Sequence, residues 1–251
     1  MIDYYKIKIA QEKYDLRASN SDSIKAAGQW GSEKLVPLIC KEIEKKIKIS
    51  SKSKILEIGC GSGVLGKWIK DSCSFYIGLD VSFNMLKKFF QGKNSYLDVI
   101  QSTSHKIPLQ KGFFDIIVMN SVTMYLPEEL LKKTLNEILR VAMPHATIFI
   151  GDNITPSGFY YEYVWFQKLN PFFQIIVKPY IRFRKNLAKI NPKLAGKWKN
   201  FYNEVSPGFI EEYFKNIGDV TISESATSSI KNMSKDRLID SKRVDFVIHF
   251  R

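Results

Sequence analysis

The chain has 251 residues, with 38 Lys and Arg against 25 Asp and Glu for a net charge of +13, and 45% hydrophobic residues. That length buries one substantial core as a single domain, residues 1–251, and the apolar and charged fractions are ordinary for a soluble globular protein. The longest apolar runs are far too short to span a bilayer, and Cys40, Cys60 and Cys73 are odd in number and not spaced as a metal or redox motif. The first residues lack the basic-then-apolar pattern of a signal peptide, so a cytoplasmic location is expected. Only seven of the basic residues are Arg. Base readout and bidentate phosphate clamps favour Arg, so a nucleic-acid partner is not expected despite the charge.

Residues 1–33 form an N-terminal arm of mixed polar pattern, and Ser19, Ser21 and Ser23 predict an irregular segment. Ser32 is placed to cap a helix from Glu33 to about Lys48, with Leu35, Leu38, Ile39, Ile43 and Ile47 on its buried stripe. Ile55, Leu56 and Ile58 then suit a short strand buried on both faces. Gly59, Gly61 and Gly63 follow, and from Val64 a helix starts with its N-terminal amides facing the turn. Strand, glycine loop and helix make a ligand cradle at the carboxyl end of a first strand. The dinucleotide fingerprint needs a glycine at the sixth position from Gly59, which is Val64, so that ligand class fails.

The pattern Glu57-x-Gly59-x-Gly61-x-Gly63 resembles the first motif of the class I S-adenosylmethionine-dependent methyltransferases. Their donor carries no phosphate and needs no pyrophosphate turn. The resemblance implies that Glu57, Gly59, Cys60, Gly61 and Gly63 hold the donor, with S-adenosylhomocysteine as product. Phe75 to Asp80 reads as a second strand ending on an acid 21 residues after Gly59. An acid there accepts hydrogen bonds from ribose hydroxyls. Asp80-Val81-Ser82-x-x-Met85-Leu86 resembles the family's second motif, which sets Val81 and Met85 against the adenine. Ser82 is placed to cap a helix from Phe83 to Gln91.

Tyr96 to Ile100 reads as a third strand. Relatives commonly carry Gly-Asp-Ala at positions 101–103, with the acid on the adenine amine. Here Ser102 replaces it, and its hydroxyl still accepts one hydrogen bond. Thr103 and Ser104 share that turn. Phe114 to Met119 is the fourth strand, with Asn120 expected to offer its carbonyl to the donor's ammonium and Tyr125 to orient an acceptor. Asn120 to Leu126 holds neither the proline-rich signature of adenine and glutamine N-methyltransferases nor the Pro-Cys of cytosine C5 enzymes. A helix from Glu128 to Ala142 buries Leu131, Leu135, Ile138 and Ala142. Pro144-His145 reads as a turn into a fifth strand, Ala146 to Ile150. Asp152 is a candidate acid near the acceptor. With Asn153 it also matches part of a divalent-metal O-methyltransferase site, but the further Asp after the fourth strand is missing, so no metal is expected.

Residues 156–205 carry thirteen aromatics and nine Lys or Arg against two Glu. In class I enzymes an insertion here often forms the acceptor lid, which would be apolar inside and positive at its rim. An interfacial element contacting a membrane surface is the rival reading. Ser206-Pro207 opens a helix to Asn216, and Asp219–Ser223 with Val244–Phe250 form a final antiparallel pair. In relatives the N-terminal arm often folds over the cofactor, which makes Tyr14, Asp15 and Arg17 candidates for the methionine carboxylate or the substrate.

The expected fold is α/β: a Rossmann-like doubly wound, mostly parallel seven-stranded sheet with one antiparallel strand and a helical lid insertion. The resemblance implies in-line methyl transfer, and the apolar, basic segment 156–205 points to a small, anionic acceptor, a sugar or lipid intermediate, with His105, Asp152 and Tyr125 as candidate bases. An RNA-modifying enzyme and a non-catalytic nucleoside-binding scaffold are the alternatives.

Overall fold

The computed structural model describes residues 5–20, 34–90, 97–156, 203–226 and 243–251. Their strands are β1 (Lys54–Ile58), β2 (Phe75–Asp80), β3 (Leu97–Gln101), β4 (Phe114–Asn120), β5 (Ala142–Ile154), β6 (Gly218–Glu224) and β7 (Arg243–Phe250). Their helices are α1 (Tyr5–Asn20), α2 (Val36–Ile47), α3 (Val64–Ile69), α4 (Phe83–Phe90), α5 (Glu128–Val141) and α6 (Pro207–Phe214), with a 3-10 turn at Thr123–Tyr125. The strands form one sheet in the order β3-β2-β1-β4-β5-β7-β6. β1 to β5 pair in parallel, and β7 runs antiparallel to both β5 and β6. This is the expected seven-stranded sheet with one reversed strand.

Alternation along the strands explains why they are near-continuously apolar. Leu56, Ile58, Leu79, Ile117 and Met119 face one layer, built with Leu131, Leu135 and Ile138 of α5 and Ile210 and Phe214 of α6. Ile55, Tyr76, Ile116 and Val118 face the other, against Ile39, Ile43 and Ile47 of α2, Leu65 and Ile69 of α3, and Leu86 and Phe89 of α4. Sidedness on both faces fixes the register, because a one-residue slip would exchange the two layers.

Several boundaries differ from expectation. Ser21 and Ser23 of the segment expected to be irregular lie outside the described residues, while Tyr5–Asn20 of the arm is helical and takes in Ser19. Its inward residues, Ile7, Ala10, Tyr14 and Ala18, recur at helical spacing and pack on the 3-10 turn and α4. α2 begins at Val36, with Leu35 at its N-cap and Pro37 in its first turn; Ser32, the expected cap, lies outside the described residues. Its buried face takes Cys40, while Leu38 points outward at 51% exposure. The turn expected at Pro144-His145 is a bulge inside β5: Phe114 pairs with Ala142 and Ile116 already with Thr147, and His145 takes φ +62°. Ser206 sits at the α6 N-cap but makes no side-chain cap bond. The proposed lid at 156–205 and the link after β6 lie almost wholly outside the described residues. No described helix is long and apolar enough to cross a membrane.

Candidate cofactor and acceptor site

Strand order reverses between β1 and β4, which opens a crevice at the carboxyl ends of the parallel strands. The loop after β1 enters it with Gly59, Gly61 and Gly63 at φ +74°, +55° and +74°. Gly59 and Cys60 donate their amides to the Leu79 carbonyl at 2.7 and 3.1 Å, which pins the loop to the end of β2. A Cβ at Gly63 would lie 2.1 Å from the Phe89 ring, so packing requires glycine there. A Cβ at Gly61 would meet nothing within 4 Å, so that position is open for a ligand to approach the backbone.

Asp80 ends β2 where the loop turns. Its Oδ2 accepts from the Gly61 amide and its Oδ1 from the Ser82 amide, each at 2.8 Å. Burial pushes the carboxyl above its ordinary range, against the pull of these amides. Neither bond exhausts an oxygen, so lone pairs remain for ribose hydroxyls. Ser82 caps α4 as expected, accepting from the Met85 amide at 3.2 Å. The same hydroxyl donates to Asp15 of α1 at 2.6 Å, and Asp15 also accepts from the Asn84 amide at 3.2 Å. Asp15 thereby docks α1 on α4 through one carboxylate oxygen.

The cleft and its open mouth together hold about 930 Å³ of empty space. Glu57, Gly59, Cys60, Gly61, Asp80, Val81, Met85, Ser102, Thr103, Ser104 and Asn120 all line it. Gly63 shapes the loop from behind. Ser102 donates its hydroxyl proton to the Lys106 carbonyl at 2.7 Å, which leaves its oxygen an acceptor. Ser104 bonds Thr134 at 2.9 Å. Glu57 is buried and takes a hydrogen bond from the Tyr76 hydroxyl. Burial raises its carboxyl from the ordinary 4.5 to about 8.

At the acceptor end the walls are Ser121, Val122, Tyr125 and Leu126, roofed by Ile7, Ala10 and Tyr14 of α1. The Tyr14 and Tyr125 hydroxyls lie 3.0 Å apart, and the Lys13 ammonium donates to Tyr125 at 3.4 Å. Ile7 and Ala10 belong to no motif, and the arm's polar remainder hides them in the sequence. Their 3–4 residue spacing with Tyr14 was the available signal. Arg17 is not a lining residue; its guanidinium stands 5.6 Å from the Tyr14 ring.

Two candidate bases do not line this space. His105 is absent from the lining, and burial with Lys106 and Lys133 lowers its pKa. Asp152 sits in a second bulge, where Ile150 pairs with Phe246 and Asn153 with Val244, and it takes φ +57°. Its Oδ2 accepts from Ser121 at 2.6 Å and Arg243 at 2.8 Å, and its Oδ1 from Ser225 at 2.9 Å. The carboxylate is paired and enclosed, so the expectation of a free acid beside the acceptor is corrected. Asn153 is equally committed, to Thr123, the Ile150 carbonyl and the Val244 carbonyl.

Residues 56–150 match the family model of a methyltransferase domain. An uncharacterized methyltransferase of Schizosaccharomyces pombe is 31% identical over 87 residues, 34% of this chain and 34% of that protein. The 18S rRNA (guanine-N(7))-methyltransferase of Bos taurus is 28% identical over 72 residues, 29% of this chain and 26% of that protein. The chain thus spans about a third or less of these curated relatives. Among solved structures, Haemonchus contortus phosphoethanolamine N-methyltransferase 1, in complex with phosphoethanolamine and S-adenosylhomocysteine, superposes with a TM-score of 0.67 at 10% identity, covering 99% of this chain and 50% of that one. The matched segment, residues 56–150, thus reads as a methyltransferase domain, the sheet order is that of the Rossmann-like S-adenosylmethionine-dependent methyltransferase fold, and S-adenosylmethionine is the cofactor the cleft fits.

Proposed function

We propose that the chain transfers the methyl group of S-adenosylmethionine to a small-molecule acceptor that carries an anionic group. The observation that supports this best is the roof. α1 brings Ile7, Ala10 and Tyr14 across the cleft and is fastened to α4 through Asp15. A partly covered cleft suits a compact acceptor, which it surrounds on several sides. The anionic preference is argued from the basic segment 156–205, whose return at Asn203 donates its amide to the Met124 carbonyl beside Tyr125.

When bound, the sulfonium supplies an electrophilic methyl group for in-line displacement. Asp80 offers lone pairs to the ribose hydroxyls, Val81 and Met85 flank the adenine, and Ser102 offers an acceptor oxygen to its amine. Glu57 and the Asn120 carbonyl serve the methionine portion. Of the candidate bases, Tyr125 lines the cleft, so a proton at the acceptor end is held or taken by its hydroxyl, with Tyr14 and Lys13 bonded to it. An acceptor that arrives with a free lone pair needs no base.

Calorimetric titration of S-adenosylmethionine and S-adenosylhomocysteine tests the donor site. Micromolar binding, about −8 kcal/mol, is expected in the wild type. Asp80→Ala is expected to weaken it about 100-fold through lost ribose bonds and a loosened loop. A methyl-transfer screen of small phosphates and carboxylates then tests the acceptor, starting with phosphoethanolamine, the ligand of the Haemonchus structure. The second reading, an RNA acceptor, draws on the +13 charge and the similarity to an rRNA methyltransferase. RNA methylation with steeply salt-dependent binding, and no turnover of small acceptors, would overturn the first.

A further inference from the structure

Tyr76 and Glu57 form a polar pair inside the apolar layer between the sheet and α2, α3 and α4. Tyr76 is fully buried, its ring edge-on to Phe89 at 5.8 Å between centroids. Its hydroxyl donates to Glu57 Oε2 across the β1–β2 pair. Two apolar residues of similar size would serve packing here without desolvating a carboxyl and a phenol. The surroundings are nevertheless shaped to admit the phenol. α3 carries Gly66 in its interior, where a Cβ would lie 2.7 Å from both Cζ and the hydroxyl oxygen of Tyr76. Phe89 Cζ would lie nearer still, at 2.6 Å, so the helix gives up the stability alanine would add in order to seat both rings.

Only one oxygen of Glu57 is used. Among the described residues its side chain makes no other hydrogen bond, and Glu57 lines the cleft. The ionisable groups that face it are Tyr76 and Asp80 of β2, Cys60 of the glycine loop and Cys40 of α2. None of these supplies a positive charge. Among the described residues the carboxyl thus finds no counter-charge, which leaves it to a proton or to a cation that a ligand brings.

We propose that Tyr76 is a positioning residue for the methyl donor: it fixes one oxygen of Glu57 so that the other meets the ammonium group of the donor's methionine portion. The proposal rests on the cofactor reading above. It makes donor binding proton-linked, because the carboxyl, raised to about 8 by burial, gives up its proton when the ammonium arrives. Atoms balance: one proton leaves Glu57 for solvent and one ammonium takes its place.

The test compares S-adenosylhomocysteine with 5′-methylthioadenosine, which has the same nucleoside but no ammonium, by calorimetry between about pH 6 and about pH 7.5, where an α-amino group stays largely charged. In the wild type, affinity for S-adenosylhomocysteine should rise about tenfold per pH unit, with proton release seen as a dependence of the heat on buffer ionisation. Affinity for 5′-methylthioadenosine should stay flat. Tyr76→Phe should weaken S-adenosylhomocysteine by about tenfold and leave 5′-methylthioadenosine unchanged. Glu57→Gln should abolish the pH slope, and it serves as the second variant if Tyr76→Phe folds poorly. Equal loss of both ligands in Tyr76→Phe, or a flat wild-type profile, overturns the inference while leaving the cofactor reading intact. A wild type that binds neither ligand overturns both.

Discussion

Glu57 and Asp80, on the β1–β2 side of the sheet, are bonded to a phenol and to backbone amides, with no described cation beside them. Asp152 and Asp245, on the β5–β7 side, are bonded to Arg243 and to Lys46 at 2.8 and 2.7 Å. All four acids lie at or near the ends of strands in one sheet. The difference lies in what is left over. Amides and a hydroxyl leave the first pair with unspent charge or lone pairs facing a cleft, ready for a ligand's cation and hydroxyls. Cations consume the second pair, and the Asp245 carboxylate additionally accepts the Asp152 and Ala226 amides at 2.7 and 2.8 Å. The same side chain chemistry thus serves binding on one side and architecture on the other, and the deciding factor is whether the protein supplies the counter-charge itself.

The contrast has a largest consequence in pH. Glu57 ionises at about 8 in the folded chain against an ordinary 4.5. The folded state therefore holds a proton that the unfolded chain has lost between these values. Stability should fall as pH rises through that window, by about 1 kcal/mol per unit from this group. Urea unfolding at several pH values checks it, and Glu57→Gln should flatten the slope; an unchanged slope would place the effect elsewhere. Asp152→Ala comes next. It leaves Arg243, Ser121 and Ser225 without their acceptor and should cost about 3 kcal/mol. Donor affinity per folded molecule should not change, which is the opposite of the Asp80→Ala outcome.

Within the glycine loop the contrast recurs at smaller scale. Gly63→Ala should cost about 2 kcal/mol in a thermal melt through overlap with Phe89 and an unfavourable φ. Gly61→Ala should cost about 1 kcal/mol, from backbone conformation alone, yet weaken donor binding more. The smallest effect separates two serines at helix starts. Ser82→Ala loses the cap of α4 and its bond to Asp15, about 1 kcal/mol. Ser206→Ala loses no cap bond and should change stability by less than about 0.5 kcal/mol.

This asymmetry also explains what could be read from the sequence. The donor side was legible because its parts are close in sequence: Glu57, the glycines, Asp80 and Ser82 lie within one strand-helix-strand unit. The fate of Asp152 was not legible, because its partner Arg243 is 91 residues away. The Lys46–Asp245 pair spans 199 residues. Neither contact leaves a local pattern. Pro144 and His145 carry the composition of a turn, yet pairing of β5 with β4 continues on either side, so the local signal yielded to the sheet. α1 was missed because only four inward residues mark it, and a polar remainder masks their spacing. Its function as a roof depends on Asp15 reaching Ser82, 67 residues on.

The chain after β5 is anchored at two places. The excursion that leaves at Pro156 is received back at Val205, whose amide bonds the Ile154 carbonyl at 2.7 Å, and the one that leaves after Ala226 returns at Arg243, whose carbonyl accepts from Ser225 at 3.3 Å. Each excursion therefore starts and finishes at a single doorway, and loop closure grows only slowly with length. The pairing of β5 with β7 and β6 is therefore held by residues that flank these stretches, and the residues that line the donor cleft lie before them.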